Sequence, residues 1–311
     1  MKKKILITGC AGFIGSSITN YLVSNNLNKF DIWGIDNFSK GNKENISKKI
    51  KFIKGNCESD TILKKLQKKK FFAILHFAGQ SSGEVSFNKP LKDFNDNLFT
   101  TIKLLEFAIA NKCKQFIYAS SMGVYGDNKF VKNEKIFPNP KSIYGVSKNA
   151  SENYIKVYKS KGLNFTILRL FNVYGPGQKL DSLNQGMVRI FFNQILKNKK
   201  LIVKGSKNRV RDFIYIDDVV NIISKLIGNR KAFNETFNIC SGESHKIDKL
   251  IKIIKKIVNF NFKVIYSKET PLDQKYISAD NSKIKKVLKI NKFLNLENGL
   301  RFFYNSLKKI Y

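Results

Sequence analysis

The first half of the chain alternates short apolar runs with longer segments of helical spacing. The apolar runs are Lys4–Thr8, Asp31–Ile35, Lys51–Ile53, Phe72–Phe77, Gln115–Ser120 and Phe165–Leu170. Their length and near-continuous hydrophobicity predict parallel strands buried on both faces. The clearest helical segment runs from Leu91 to Ala110, with Leu91, Phe94, Leu98, Ile102, Leu105 and Ile109 at three-to-four spacing. A second spans about Ser142 to Lys161 and stops at Gly162, a natural C-terminal residue for a helix. This βαβα order predicts a doubly wound parallel sheet with right-handed crossovers. After Gly175-Pro176-Gly177 the rhythm loosens. Helices are predicted near Met187–Lys197, Asp217–Ile227, Lys246–Val258, Ser282–Leu288 and Leu296–Leu307, with short strands between. The expectation is an α/β protein. Residues 1–172 form the sheet domain and 173–311 a smaller α/β domain, some of whose segments pack back on the first.

Composition narrows the class. At about 150 residues per domain, 311 residues suit two domains. A hydrophobic share of 42% excludes global disorder. There is no apolar run long enough for a membrane span and no signal-peptide cleavage pattern. The four cysteines (10, 57, 113 and 240) lie far apart and form no CxxC, which argues against a disulfide framework or a zinc site. Two histidines cannot supply a His-based metal cluster, so no metal is expected. A reduced, cytoplasmic protein fits these features. The net charge of +34 invites a nucleic-acid reading. However, only six of the 57 basic residues are Arg (169, 189, 209, 211, 230 and 301), and the lysines are spread from one end to the other. Base readout favours the bidentate guanidinium. The charge is therefore read as a solvated surface, with no nucleic-acid or membrane partner expected.

Candidate chemistry begins where the first strand ends, at Gly9-Cys10-Ala11-Gly12-Phe13-Ile14-Gly15. Glycines let a backbone turn tightly against a pyrophosphate, and the following helix offers free N–H groups and a positive dipole end. Asp36 closes the second strand, 21 residues after Gly15. A carboxylate there accepts hydrogen bonds from the adenosine ribose and repels a 2′-phosphate, which favours NAD over NADP. Tyr144-Gly145-Val146-Ser147-Lys148 sets Tyr and Lys four apart, on one helix face. A nearby ammonium and the positive nicotinamide would lower the phenol's pKa and make it a usable base. Ser120-Ser121 ends the fifth strand, where α/β sheets build active sites. His76 sits in an apolar strand and reads as a core histidine.

Taken together, these segments resemble the extended short-chain dehydrogenase/reductase family, in its nucleotide-sugar epimerase/dehydratase branch. The resemblance also rests on His76-Phe77-Ala78-Gly79, Arg169 to Gly177, Arg211-Asp212-Phe213 and Ala279-Asp280-Asn281-Ser282-Lys283. It covers nearly the whole chain and is nearest the UDP-glucose 4-epimerases. It implies a Rossmann sheet, bound NAD and epimerisation of a nucleotide-activated hexose, at C4 of a UDP-sugar through a 4-keto intermediate. A reductase or dehydratase on the same fold is the alternative, and a non-catalytic NAD- or nucleic-acid-binding protein a more distant one. By resemblance Tyr144 is the acid/base, Ser121 shares its hydrogen bond, and Lys148 holds the nicotinamide ribose. Gly9, Gly12, Phe13, Ile14 and Gly15 line the pyrophosphate; Asp36 and Asn37 take the adenosine ribose side; Asn56 and Cys57 sit by the adenine. Phe77, Ala78, Gly79 and Asn97 face the ribose and nicotinamide, flanked by Phe171 and Val173. Asn172 and Arg211 bind the substrate diphosphate, with Ser81 and Asp273 also on the substrate side. Leu91–Ala110 and the helix starting near Tyr144 pair with their copies in a homodimer.

Departures from the family pattern sharpen these expectations. Met122-Gly123 stands where 4,6-dehydratases carry an Asp-Glu pair that expels water, so dehydration is disfavoured. Near Thr270 to Asp273 the 4-epimerases place an Arg that is missing here. Ile277 occupies the position that gates sugar size.

Overall fold

The computed structural model describes residues 2–127, 129–178, 186–269 and 274–308. Seven strands form the main sheet: β1 (Lys3–Thr8), β2 (Phe30–Asp36), β3 (Lys51–Lys54), β4 (Ala73–His76), β5 (Gln115–Ser121), β6 (Phe165–Leu170) and, from the second half, Glu235–Ile239. Counting β7 (Asn172–Tyr174), β8 (Lys200–Lys204) and β9 (Val210–Tyr215), that last strand is β10. The order is β10-β6-β5-β4-β1-β2-β3, and every neighbouring pair is parallel. The chain therefore reverses its direction of growth between β1 and β4, the switch point at which open α/β sheets form their ligand crevice.

Both faces of the sheet are covered, as the continuous apolar runs require. In β1, Ile5 and Ile7 enter one core cluster while Leu6 enters the other. One face carries α1 (Phe13–Asn25). The other carries α2 (Asp60–Gln67), α5 (Thr100–Ala110) and α6 (Ile143–Val157), with α3 (Gly83–Asn88) and α4 (Pro90–Asp93) packed on α6. The second half adds α7 (Met187–Asn198), α8 (Ile216–Leu226), α9 (Ile247–Ile257), α10 (Ser282–Leu288) and α11 (Leu296–Lys308). It also holds β11 (Ser244–Lys246) and β12 (Lys263–Ser267), which build a three-stranded sheet, β11-β9-β7, and a parallel pair, β12-β8. Helix α8 packs on α1, and β10 closes the edge of the main sheet. Residues 216–239 thus return to the layers of the first half.

One predicted helix differs. Leu91–Ala110 is not a continuous α-helix: α4 opens into a wide turn over Phe94–Phe99 before α5 begins. The Thr100 and Thr101 hydroxyls donate to the carbonyls of Asn95 (2.8 Å) and Asn97 (2.5 Å), which reinforces the wider backbone bonding of the loosened turn, where the Thr100 amide also donates to the Asn95 carbonyl. The predicted apolar stripe also divides. Leu105 is buried, but Leu91 is 78% exposed and Phe94 45%.

Candidate active site

A cleft of about 830 Å3 opens at the switch point, between the strand ends of the main sheet and the smaller sheets. Gly9, Gly12, Phe13, Ile14 and Gly15 form part of its wall, at the N-terminus of α1. The glycines there answer to space. Gly9 has φ +70° and its backbone lies against Ala78; a Cβ would stand 2.6 Å from the Ala78 nitrogen. A Cβ on Gly15 would stand 2.1 Å from the Gly9 carbonyl oxygen, so only glycine lets the helix start this close to the strand.

Asp36, at the end of β2, accepts from the Ala11 amide at 2.9 Å and the Phe38 amide at 2.8 Å. It thereby shapes the same loop. Asn37 donates from its amide to Asn56 at 2.8 Å, and both are exposed beside Asp36. Cys57 is buried, with burial pushing its thiol well up, so its side chain packs rather than reacts. Phe77 and Gly79 line the cleft. Asn97 stands behind Gly79: a Cβ on Gly79 would come within 2.6 Å of the Asn97 Oδ1. That Oδ1 is buried and has no hydrogen-bond partner among the described residues. A glycine cradle that any Cβ would fill, a free helix N-terminus and an orphaned amide oxygen together fit a bound dinucleotide.

The catalytic candidates converge. Ser142 caps α6, accepting from the Gly145 amide at 3.1 Å, and the Tyr144 amide donates to the Ser86 hydroxyl of α3 at 3.2 Å. A Cβ on Gly145 would stand 2.5 Å from the Gly123 carbonyl oxygen, so the first turn of α6 lies directly on the turn after β5. This contact brings Tyr144 to Ser121. One turn further along α6, the buried Lys148 Nζ donates to the Ala119 carbonyl at 3.0 Å and stands 5.8 Å from the Tyr144 ring centre. Burial pushes Tyr144 up to about 12, against the Ser121 hydrogen bond that lowers it, with Asp93 adding to the rise. Burial pulls Lys148 down to about 8, opposed by Asp93 and Glu152. The protein by itself therefore holds Tyr144 as a phenol; proximity to Lys148 does not overcome burial. His76 is a core histidine, bridging Thr8 and Thr101 and lowered to about 3 by burial and then Lys148.

Ser81, Phe171, Val173, Arg211 and Ile277 also line the cleft. The Asn172 amide is committed to the Asp212 carbonyl at 2.7 Å, so it braces β7 against β9 as well as lining the cleft. Asp273, with Thr270 to Leu272, lies outside the described residues. Sequence reasoning missed Gln80, Gln194, Lys204 and Arg209, which also line the cleft. It also missed Asp93, for which the one available signal was its place four residues before Asn97. Among the described residues no group of three His, Cys, Asp or Glu side chains could hold a metal, and no helix is long and apolar enough to cross a membrane.

A family model, the NAD dependent epimerase/dehydratase family, matches residues 5–240. The chain belongs to this family. A putative UDP-glucose 4-epimerase of Methanocaldococcus jannaschii is 36% identical over 267 residues, covering 85% of each chain. Among solved structures, the UDP-glucose 4-epimerase of Thermotoga maritima, crystallised with UDP-glucose, superposes with a TM-score of 0.93 at 31% identity over 99% of each chain. The UDP-glucuronic acid 4-epimerase of Bacillus cereus, with UDP-glucuronic acid and NAD, gives 0.90 at 29% identity over 99% of this chain and 100% of that one. The cofactor of the family is NAD, and the parallel sheet described above is that of its members.

Proposed function

We propose that the protein epimerises a nucleotide-activated hexose, at C4 of a UDP-sugar, through a 4-keto intermediate. The observation that carries this reading is the convergence of Ser121, Tyr144 and Lys148 in one cleft beside an acid-free Met122-Gly123 turn. NAD, when bound, supplies reversible hydride acceptance, and residues 1–172 hold it. Gly9 to Gly15 take its pyrophosphate, Asp36 and Asn37 its adenosine ribose, and Asn56 with the backbone near Cys57 its adenine. Ala78, Gly79, Asn97, Phe171 and Val173 surround its nicotinamide half. Ser121 and Tyr144 hold the sugar hydroxyl, and Tyr144 takes its proton and later returns it. Lys148 supplies a fixed positive charge beside the phenol. The smaller sheets of residues 173–311, with Asn172, Arg211 and Asp273, hold the nucleotide end, while Ser81 faces the sugar. Incubation with UDP-glucose should yield its C4 epimer with no net change at the NADH band. A net change would instead assign a reductase.

Arg211 is 2% exposed and reaches the cleft from β9. In a chain that uses Lys almost everywhere, a retained Arg fits a bidentate diphosphate contact, which Lys makes poorly. Arg211→Lys should raise KM about tenfold, as for the loss of one charge-assisted hydrogen bond, with kcat little changed. An unchanged KM in steady-state kinetics removes Arg211 from that contact.

We also propose a homodimer, and an exposed apolar face supports it. Leu91 and Phe94 are exposed, and so are Val146, Tyr154 and Val157 of α6, the helix that packs against α4 and that wide turn. Such a face marks an interaction surface. Light scattering after size exclusion should give twice the chain mass of 35.7 kDa, and Leu91→Glu with Val157→Glu should halve it. A monomeric wild type removes the dimer. The four cysteines are all free and buried, which supports a cytoplasmic setting.

A further inference from the structure

One of the buried charges that the mechanism above leaves unused lies on α4. Asp93 ends α4 and has no exposed surface. Its Oδ1 accepts from the Gln80 amide at 2.7 Å and from the Asn97 amide at 3.1 Å. Its Oδ2 has no partner among the described residues. Both donors are neutral, so no ion pair within this cluster balances the carboxylate. The neighbouring charges on either side, Lys92 and the half-buried Asp96, pair with each other at 2.7 Å. A fully buried carboxylate whose hydrogen-bond donors are both neutral, with one oxygen left over, calls for an explanation.

We propose that Asp93 is a positioning residue for the Tyr144–Lys148 pair and for Asn97: the helix it ends, α4, packs on α6, and its Oδ1 holds the Asn97 amide so that the Asn97 oxygen faces Gly79. This rests on the functional reading given above. The groups facing the pair are few. Lys148 meets the Tyr118 ring of β5 at 4.8 Å, the neutral His76 of β4, and Tyr144 and Glu152 on its own helix. Tyr144 meets Ser121. Of the two carboxylates acting on Lys148, Asp93 has the larger effect, and it alone acts on Tyr144 as well. Glu152 is bound to Arg169 and already balanced. The amide of Asn97 is oriented by the same carboxylate. Because Asp93 takes its Nδ2, the Oδ1 is left as a free acceptor beside the cleft.

Removing this charge loosens both protons in the same direction: the phenol ionises more readily and the ammonium deprotonates more readily. The pair then titrates at lower pH as a unit. The test is NAD binding by calorimetry across pH, with purified wild type and Asp93→Asn, which needs no sugar substrate. In Asp93→Asn the midpoint of the pH dependence should fall by about one unit, and affinity should weaken on the order of tenfold as Asn97 loses its anchor. Asp93→Glu should restore the midpoint. A purely structural role would weaken binding equally at every pH and leave the midpoint fixed, and that result overturns the proposal. Asp93→Ser serves the same measurement where Asp93→Asn does not fold; failure of both to fold also overturns it, by making Asp93 a folding residue. A wild type that binds no NAD at any pH would instead refute the functional reading.

Discussion

Tyr144→Phe should abolish nearly all turnover and leave NAD bound. The substitution removes one hydroxyl and keeps the ring that packs at the start of α6. The glycine cradle, Asp36 and Lys148 are untouched, so the cofactor contacts survive. What is lost is the group that moves the proton, a contribution on the order of 10²–10⁴ in rate. Lys148→Ala should differ by weakening both turnover and NAD binding, because the ammonium serves both. The pH profile separates the two residues further. The phenol stands at about 12 in the protein alone, so turnover should rise with pH as more phenolate forms in the loaded site. Lys148 stands at about 8, so the rise should end where its ammonium is lost. The expected profile is a bell whose limbs belong to the coupled pair. Steady-state kinetics and NAD titration of the two variants are sufficient measurements. A Tyr144→Phe enzyme with full turnover would remove Tyr144 from the chemistry.

The sheet and the placing of Tyr144 and Lys148 on one helix in the cleft were legible because each rests on local rules. A strand buried on both faces must be apolar throughout, and Ile5-Leu6-Ile7 can be read in no other regular element followed by a glycine turn. Gly9 and Gly15 announce a close approach of backbone, and the structure shows which atoms approach. Tyr144 and Lys148 share a helix face by spacing alone. Three features were not local. The exposure of Leu91 and Phe94 depends on which side of the helical stretch meets the sheet, and periodicity does not say that a stripe faces outward. The return of Glu235–Ile239 to the main sheet is a pairing over a long separation, set by a whole-chain topology. The setting of the phenol was not local for a related reason. A sequence shows that a lysine is near a tyrosine but not how deeply both are buried, and here burial is the largest influence on each.

Glu152→Ala should cost more stability than any other single change in the site. Glu152 lies one turn beyond Lys148 on α6, with a fully buried side chain. Its Oε1 accepts from the Ser120 hydroxyl at 2.6 Å and the Arg169 Nε at 3.0 Å, and its Oε2 accepts from the Arg169 Nη2 at 2.7 Å. The carboxylate thus ties α6 to β5 and β6 at once, and this tie sets the height of Tyr144 above Ser121. Arg169 is 2% exposed, with Tyr125 4.6 Å from its guanidinium. Alanine would leave that guanidinium buried without its counter-charge, at a cost of about 3–5 kcal/mol. With an unfolding entropy of about 2.1 cal/mol/K per residue, this lowers Tm by about 5–8 °C. Replacing both partners, Glu152→Leu with Arg169→Met, should recover most of the loss, because no charge is then stranded. Calorimetric melting of the three proteins decides the point, and a Glu152→Ala melt level with wild type would defeat it.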